Sequence, residues 1–146
     1  MRPAFPSIVA LVALLWTGCA TTQHMTATEL AKRAREAPVA AQSELAGQYV
    51  VVQGVVRGTT LAQRQLVVGQ AFLGQVVAER RDETLSLVVL EPGAVLCYFE
   101  PEDIAQAADL KEGQTVSLDC KVDSFRRGDT DIEAVLVGCR RKSPKG

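Results

Sequence analysis

In the stretch 114–122, apolar and polar side chains alternate without a break from Thr115 to Val122. Val116, Leu118, Cys120 and Val122 fall on one side, and Thr115, Ser117, Asp119 and Lys121 on the other. Successive side chains of a strand point to opposite faces, so this period of two predicts a half-buried β-strand and excludes an amphipathic helix. Residues 49–57, 85–90, 94–99 and 132–139 are short runs rich in valine and leucine that read the same way. The turn clusters Pro92-Gly93, Lys111-Glu112-Gly113 and Gly128-Asp129-Thr130-Asp131 separate them. Gly54 interrupts the first run and is expected to mark a bulge or tight bend. Residues 102–110 place Ile104, Ala105, Ala108 and Leu110 at helical spacing. The chain is expected to be mainly β.

A helix precedes the strands. Thr26 and Glu29 have the spacing of a capping box, in which each side chain satisfies the other's free backbone N–H. Leu30, Ala31 and Ala34 follow on one side, and Pro38 is expected to stop the helix. Five strands with a helix between the third and fourth is the order of an OB-fold, a small Greek-key barrel. On AGQYVVVQGVV (46–56), VLCYFEPED (95–103), LKEGQTVSLDCKVDSF (110–125) and VLVGC (135–139), the chain resembles the bacterial OB-fold domains called tRNA-anti-like. The resemblance implies a five-stranded OB-fold barrel with a short N-terminal helix, over residues 26–142. Residues 58–84 do not fit this scheme: the segment is long for a hairpin loop and too apolar for disorder, and the pattern assigns it no place.

The start of the chain concerns location. Arg2 precedes a nine-residue apolar run, residues 8–16, far shorter than the roughly 20 residues a membrane-spanning helix needs. A charged start, a short apolar centre and small residues before a cut form a secretory signal peptide, here residues 1–18. The small pair Thr17-Gly18 before Cys19 resembles a bacterial lipobox, although Trp16 stands where leucine is usual and Leu15 lies one place off. That resemblance implies lipidation at Cys19, and several acyl chains together hold a protein on its membrane. Ala20 after the cysteine leans, by resemblance to the enterobacterial sorting rule, toward the outer membrane, facing the periplasm. Residues 19–25 are read as a lipidated tether carrying the single histidine, His24, and residues 143–146 as a loose tail.

Of the four cysteines, three remain for the folded part. Export permits a disulfide. If Gly128 to Asp131 is a hairpin loop closed by Arg127 opposite Ile132, counting outward sets Cys120 across from Cys139. A one-residue slip would break that pairing. Cys97 is then a buried free thiol or the alternative partner. Structural zinc needs four ligands, often in close Cys pairs, and these cysteines are single and widely spaced.

The sequence holds no catalytic constellation. The one histidine precedes the domain, so a Ser-His-Asp or Cys-His arrangement has no base. Glu100, Glu102 and Asp103 read as acidic residues at a helix start rather than an acid–base pair. No phosphate-cradling loop is present and no cofactor is implied. A binding module remains, and OB-folds commonly use the outer face of the second and third strands. Alternation nominates Ser86, Val88 and Tyr98 for that face, with Arg126 and Arg127 at a nearby loop. Two functions are expected to compete. In one, a lipid-anchored envelope protein binds another envelope protein or a glycan. In the other, the OB domain binds nucleic acid, which calls for a basic groove with stacking aromatics. The chain has 16 basic against 17 acidic residues, and removing residues 1–18 takes away one more base. That balance disfavours nucleic acid.

Overall fold

The capping box at Thr26 sets the start of the helical part of the domain. A computed structural model describes residues 22–142. In it Thr26 Oγ1 accepts from Glu29 N at 3.1 Å, and Glu29 Oε2 accepts from Thr26 N at 3.0 Å. Helix α1 (Ala27–Glu36) follows and buries Ala27, Leu30, Ala31 and Ala34. Pro38 ends α1 as expected but also begins a second helix, α2 (Pro38–Leu45), where its missing N–H costs nothing at the first helical position. Residues 23–26, of which 23–25 were expected in a tether, form strand β1 (Gln23–Thr26), parallel to the next strand with His24 opposite Val51.

Five further strands follow: β2 (Tyr49–Phe72), β3 (Gln75–Leu90), β4 (Val95–Phe99), β5 (Thr115–Arg127) and β6 (Ile132–Arg141). A 3-10 turn, Pro101–Asp103, leads into α3 (Ile104–Ala108), between β4 and β5. The strands neighbour one another in the order β2-β3-β4-β6-β5, and β2 also pairs with β5, so the sheet closes into a barrel. The β4–β6 contact is parallel and the other ring contacts are antiparallel. This is the expected OB-fold Greek key, with α3 where the resemblance puts it.

One continuous core fills the barrel and reaches under the helices. Val50, Val52, Val88, Leu90, Phe99, Leu118 and Leu136 have 0 % exposure, and α1 adds Leu30 to the same cluster. Gly54 does not mark a bulge. It lets α1 approach, because a Cβ there would stand 2.9 Å from the Cβ of Ala27. The bulge in β2 comes later, between Val56 and Gly58.

Residues 58–84, which the strand pattern left unplaced, continue β2 and β3 outward as one hairpin turning at Leu73 and Gly74, both at positive φ. β3 meets β4 only from Ser86 onward, so most of this extension is a two-stranded arm. Its foot is tied to the barrel. Arg64 Nη2 donates to Glu83 Oε2 at 2.6 Å and to Glu100 Oε2 at 2.8 Å.

The β5–β6 hairpin closes with Arg127 opposite Ile132, as expected. The register then shifts twice. Asp123 is an extra residue on β5, and the stretch around Gly138, at φ +59°, contains an extra residue on β6. The shifts cancel, and the Cys120–Cys139 disulfide forms. Cys97 is free and fully buried, and the three sulfurs lie within 4.8 Å of one another. Burial among apolar side chains pushes the Cys97 thiol far above its ordinary pKa.

Candidate functional site: the outer face of the barrel

Register decides which side chains face outward. Val88 pairs with Cys97 and Ser86 with Phe99, whereas Leu87 pairs with Tyr98 and Val89 with Leu96. Paired residues share a face, so Val88 and Ser86 point inward with Cys97 and Phe99. They are 0 % and 6 % exposed and cannot touch a ligand on the outside. The nomination of Ser86 and Val88 is therefore reversed. From residue 85 to residue 90 both faces of β3 are apolar apart from Ser86, and an alternation between two apolar sets carries no sign. Tyr98 does point outward and is half-buried, beside Leu87.

A second apolar layer lies on that outer face. Leu85, Leu96 and Val135 are 5–7 % exposed yet belong to no part of the main core cluster. With the half-buried Leu87, Val89, Tyr98 and Val137 they form a strip running across β3, β4 and β6, of which only those four half-buried side chains are open to a ligand. Arg126 and Glu133 close one end of it, opposite each other on β5 and β6, with Arg126 Nε donating to Glu133 Oε2 at 3.3 Å. Burial works to lower the Arg126 pKa, but the Glu133 carboxylate and the Tyr98 phenol outweigh it and hold the guanidinium above its ordinary range. The structure thus brings Tyr98 and Arg126 together. Arg127, the next residue, falls on the opposite face at the hairpin end and is exposed.

Beyond Val137 the strip opens into a groove of about 430 Å³ lined by Tyr49, Glu100, Asp119, Lys121, Val137 and Arg140. Sequence reading missed it, because its residues come from β2, β5, β6 and the end of β4 and meet only when the barrel closes. Lys121 Nζ stands 5.9 Å from the centre of the Tyr49 ring, within cation–π reach. The lining carries two carboxylates, Glu100 and Asp119, and two cations, Lys121 and Arg140, so its formal charges sum to zero. The acids nominated and set aside as catalytic include two held in structural roles: Glu100 accepts from Arg64, and Asp103 accepts from Arg140 and from Gln106. Apolar strip, aromatic rings and balanced charges suit contact with a partner surface or a polar, near-neutral ligand.

The barrel order, the position of α3 and the sequence agree with one family, whose profile, tRNA_anti-like, matches residues 16–139. The chain belongs to the tRNA_anti-like family. Among solved structures it is similar to one from Klebsiella pneumoniae subsp. pneumoniae MGH 78578, described as a candidate nucleic acid-binding lipoprotein. The two share 15 % identity at a TM-score of 0.55, over 85 % of this chain and 94 % of that one. At that identity the likeness speaks for the fold alone. No curated protein matches the sequence. Cys19 and the proposed signal peptide lie outside the described residues, as does the tail. Among the described residues no helix is long and apolar enough to cross a membrane.

Proposed function

We propose that this tRNA_anti-like domain is a non-catalytic binding module held on the bacterial envelope by lipid at Cys19, and that its outer barrel face takes an envelope protein or a glycan. The observation that carries the reading is the pairing of the apolar strip around Tyr98 with a groove of zero net charge beside it. Nucleic acid imposes a different demand, since its phosphates reward a basic surface and make affinity fall with salt. Arg126 is already engaged by Glu133 and Arg140 by Asp103, and the groove lining carries as many carboxylates, Asp119 and Glu100, as cations, Lys121 and Arg140. The lipobox-like stretch ending at Cys19, with Ala20 after it, supports an outer-membrane site facing the periplasm.

The test is photo-crosslinking in intact cells with a photoreactive residue at Tyr98, and a control at the exposed Asp109 beyond α3. A discrete adduct to an envelope protein or glycan at Tyr98 alone is expected. Equal adducts at both positions would sink the assignment of the face. The nucleic-acid reading, favoured by the description of the Klebsiella protein, makes its own prediction: single-stranded oligonucleotide should bind with affinity that falls steeply as salt rises. Cell fractionation tests the anchor, since Cys19→Ala should release the protein from the membrane fraction.

A further inference from the structure

The outer half of the β2–β3 hairpin is a surface separate from the strip and groove. β5 accompanies β2 only as far as Val55, and β4 joins β3 only from Ser86. Among the described residues, 62–72 and 75–85 therefore pair only with each other, and each strand keeps one edge free there. From Ala62 opposite Leu85 to Phe72 opposite Gln75 there are eleven cross-strand pairs, about 35 Å of ribbon at the usual strand rise. A two-stranded ribbon alone is marginal in water, and a free flat edge invites another strand unless charges, prolines or bulges blunt it.

The two edges differ in that protection. β3 carries Glu79, Arg80, Arg81, Asp82 and Glu83 in succession. β2 has no charge, no proline and no register break from residue 65 to residue 72, QLVVGQAF. Val67 on this strand is 68 % exposed, and Val76 and Val77 on its partner are exposed as well.

We propose that residues 65–72 are a homodimerisation edge, the β2 edge of one copy adding antiparallel to the β2 edge of a second copy across a two-fold axis. The two arms then form one four-stranded sheet with the charged β3 strands outermost. A second copy fits because an edge without charge over eight residues sets up no repulsion with its own twin. A two-fold axis also pairs the same donors and acceptors on both sides. The nearest rival occupant is the membrane that would carry Cys19. However, β1 begins beside Val50 and runs parallel to β2, so the chain preceding Gln23 joins at the end of β2 away from the arm.

The test places a photoreactive residue at Gln65 of the full chain in the native envelope, with equal amounts of ¹⁴N- and ¹⁵N-labelled chains. The expected product has twice the chain mass and contains crosslinked arm peptides of mixed label. Val67→Glu should lower that product roughly tenfold, because the two copies would bring carboxylates together in a desolvated edge. Within one copy Val67 lies opposite Arg80, so the substitution is compatible with the arm, and an unchanged thermal melt checks this. Val39→Glu, on the exposed side of α2, should leave the dimer product intact. An adduct to lipid or to a different protein, no dimer product, or a dimer product insensitive to Val67→Glu would overturn the proposal.

Discussion

β2 passes through two different environments. In its first eight residues Val50, Val52 and Val56 are at most 1 % exposed, covered by β5, α1 and the opposite wall of the barrel. Farther along the same strand Val67 is 68 % exposed, with only β3 beside it among the described residues. Residue type and strand conformation are the same in both places. What differs is whether a further layer packs on the sheet, which is why β-propensity reports fit to a partly buried surface rather than burial itself. Among the described residues the barrel carries its own partners, and the arm does not.

Substitutions that act on one region and spare the other test that contrast. The largest effect is expected in the barrel. Leu118→Ala should cost about 2–5 kcal/mol, through lost transfer energy and a residual cavity, while Val67→Ala in the arm should stay within about 0.5 kcal/mol. Denaturant unfolding of the two variants makes the comparison, and equal losses would mean the arm belongs to the core. Next comes the disulfide. Replacing Cys120 and Cys139 by Ala should lower stability by about 3 kcal/mol, read as a drop in the denaturation midpoint that reducing agent reproduces in the parent protein.

A smaller effect concerns Cys97, whose thiol the native core holds protonated. Above pH ~8.5 the unfolded chain releases that proton and the native chain keeps it. The native state then binds more protons than the unfolded state, and stability falls by up to roughly 1.4 kcal/mol per pH unit. Below that pH the contribution is fully present. Cys97→Ala should remove this alkaline slope, so the stability difference between parent and variant should narrow or reverse between pH ~8 and ~10. The smallest global effect belongs to Arg64→Ala. Its ion pairs with Glu83 and Glu100 are partly solvated, so overall stability should change by about 1 kcal/mol or less, while amides at the arm's foot exchange faster.

Much of the barrel was legible because one face of each strand meets the core and the other meets water. β5 is the clearest case, with Val116, Leu118, Cys120 and Val122 all buried as the alternation requires. The capping box at Thr26 and the Cys120–Cys139 pairing were legible too, the latter because two opposed bulges restore the register that simple counting assumes. Pro38 was half legible: it stops one helix and starts another, and the residue alone does not distinguish these roles. β1 left no local signal, since four residues pair with β2 by backbone bonds that ask little of their side chains.

The candidate site was less legible for a related reason. Tyr98 and Arg126 were found from alternation and turn position, and they do meet on the outer face. Ser86 and Val88 were assigned to the wrong side because Leu85, Leu87 and Val89 are apolar although they face outward. An apolar outer strip is itself the unusual feature, and it masks the pattern that would locate it. The arm was opaque for the opposite reason: its valines look like core residues, and only three-dimensional pairing reveals that nothing within the described chain covers them.

The contrast between a self-sufficient barrel and an arm that needs a partner can be tested on a single strand. Hydrogen exchange should be followed by mass spectrometry on peptides covering residues 49–56 and 57–72, at low and high protein concentration. Strong protection of the first peptide is expected at both concentrations, and protection of the second should rise with concentration. Equal, concentration-independent protection of both peptides would contradict it.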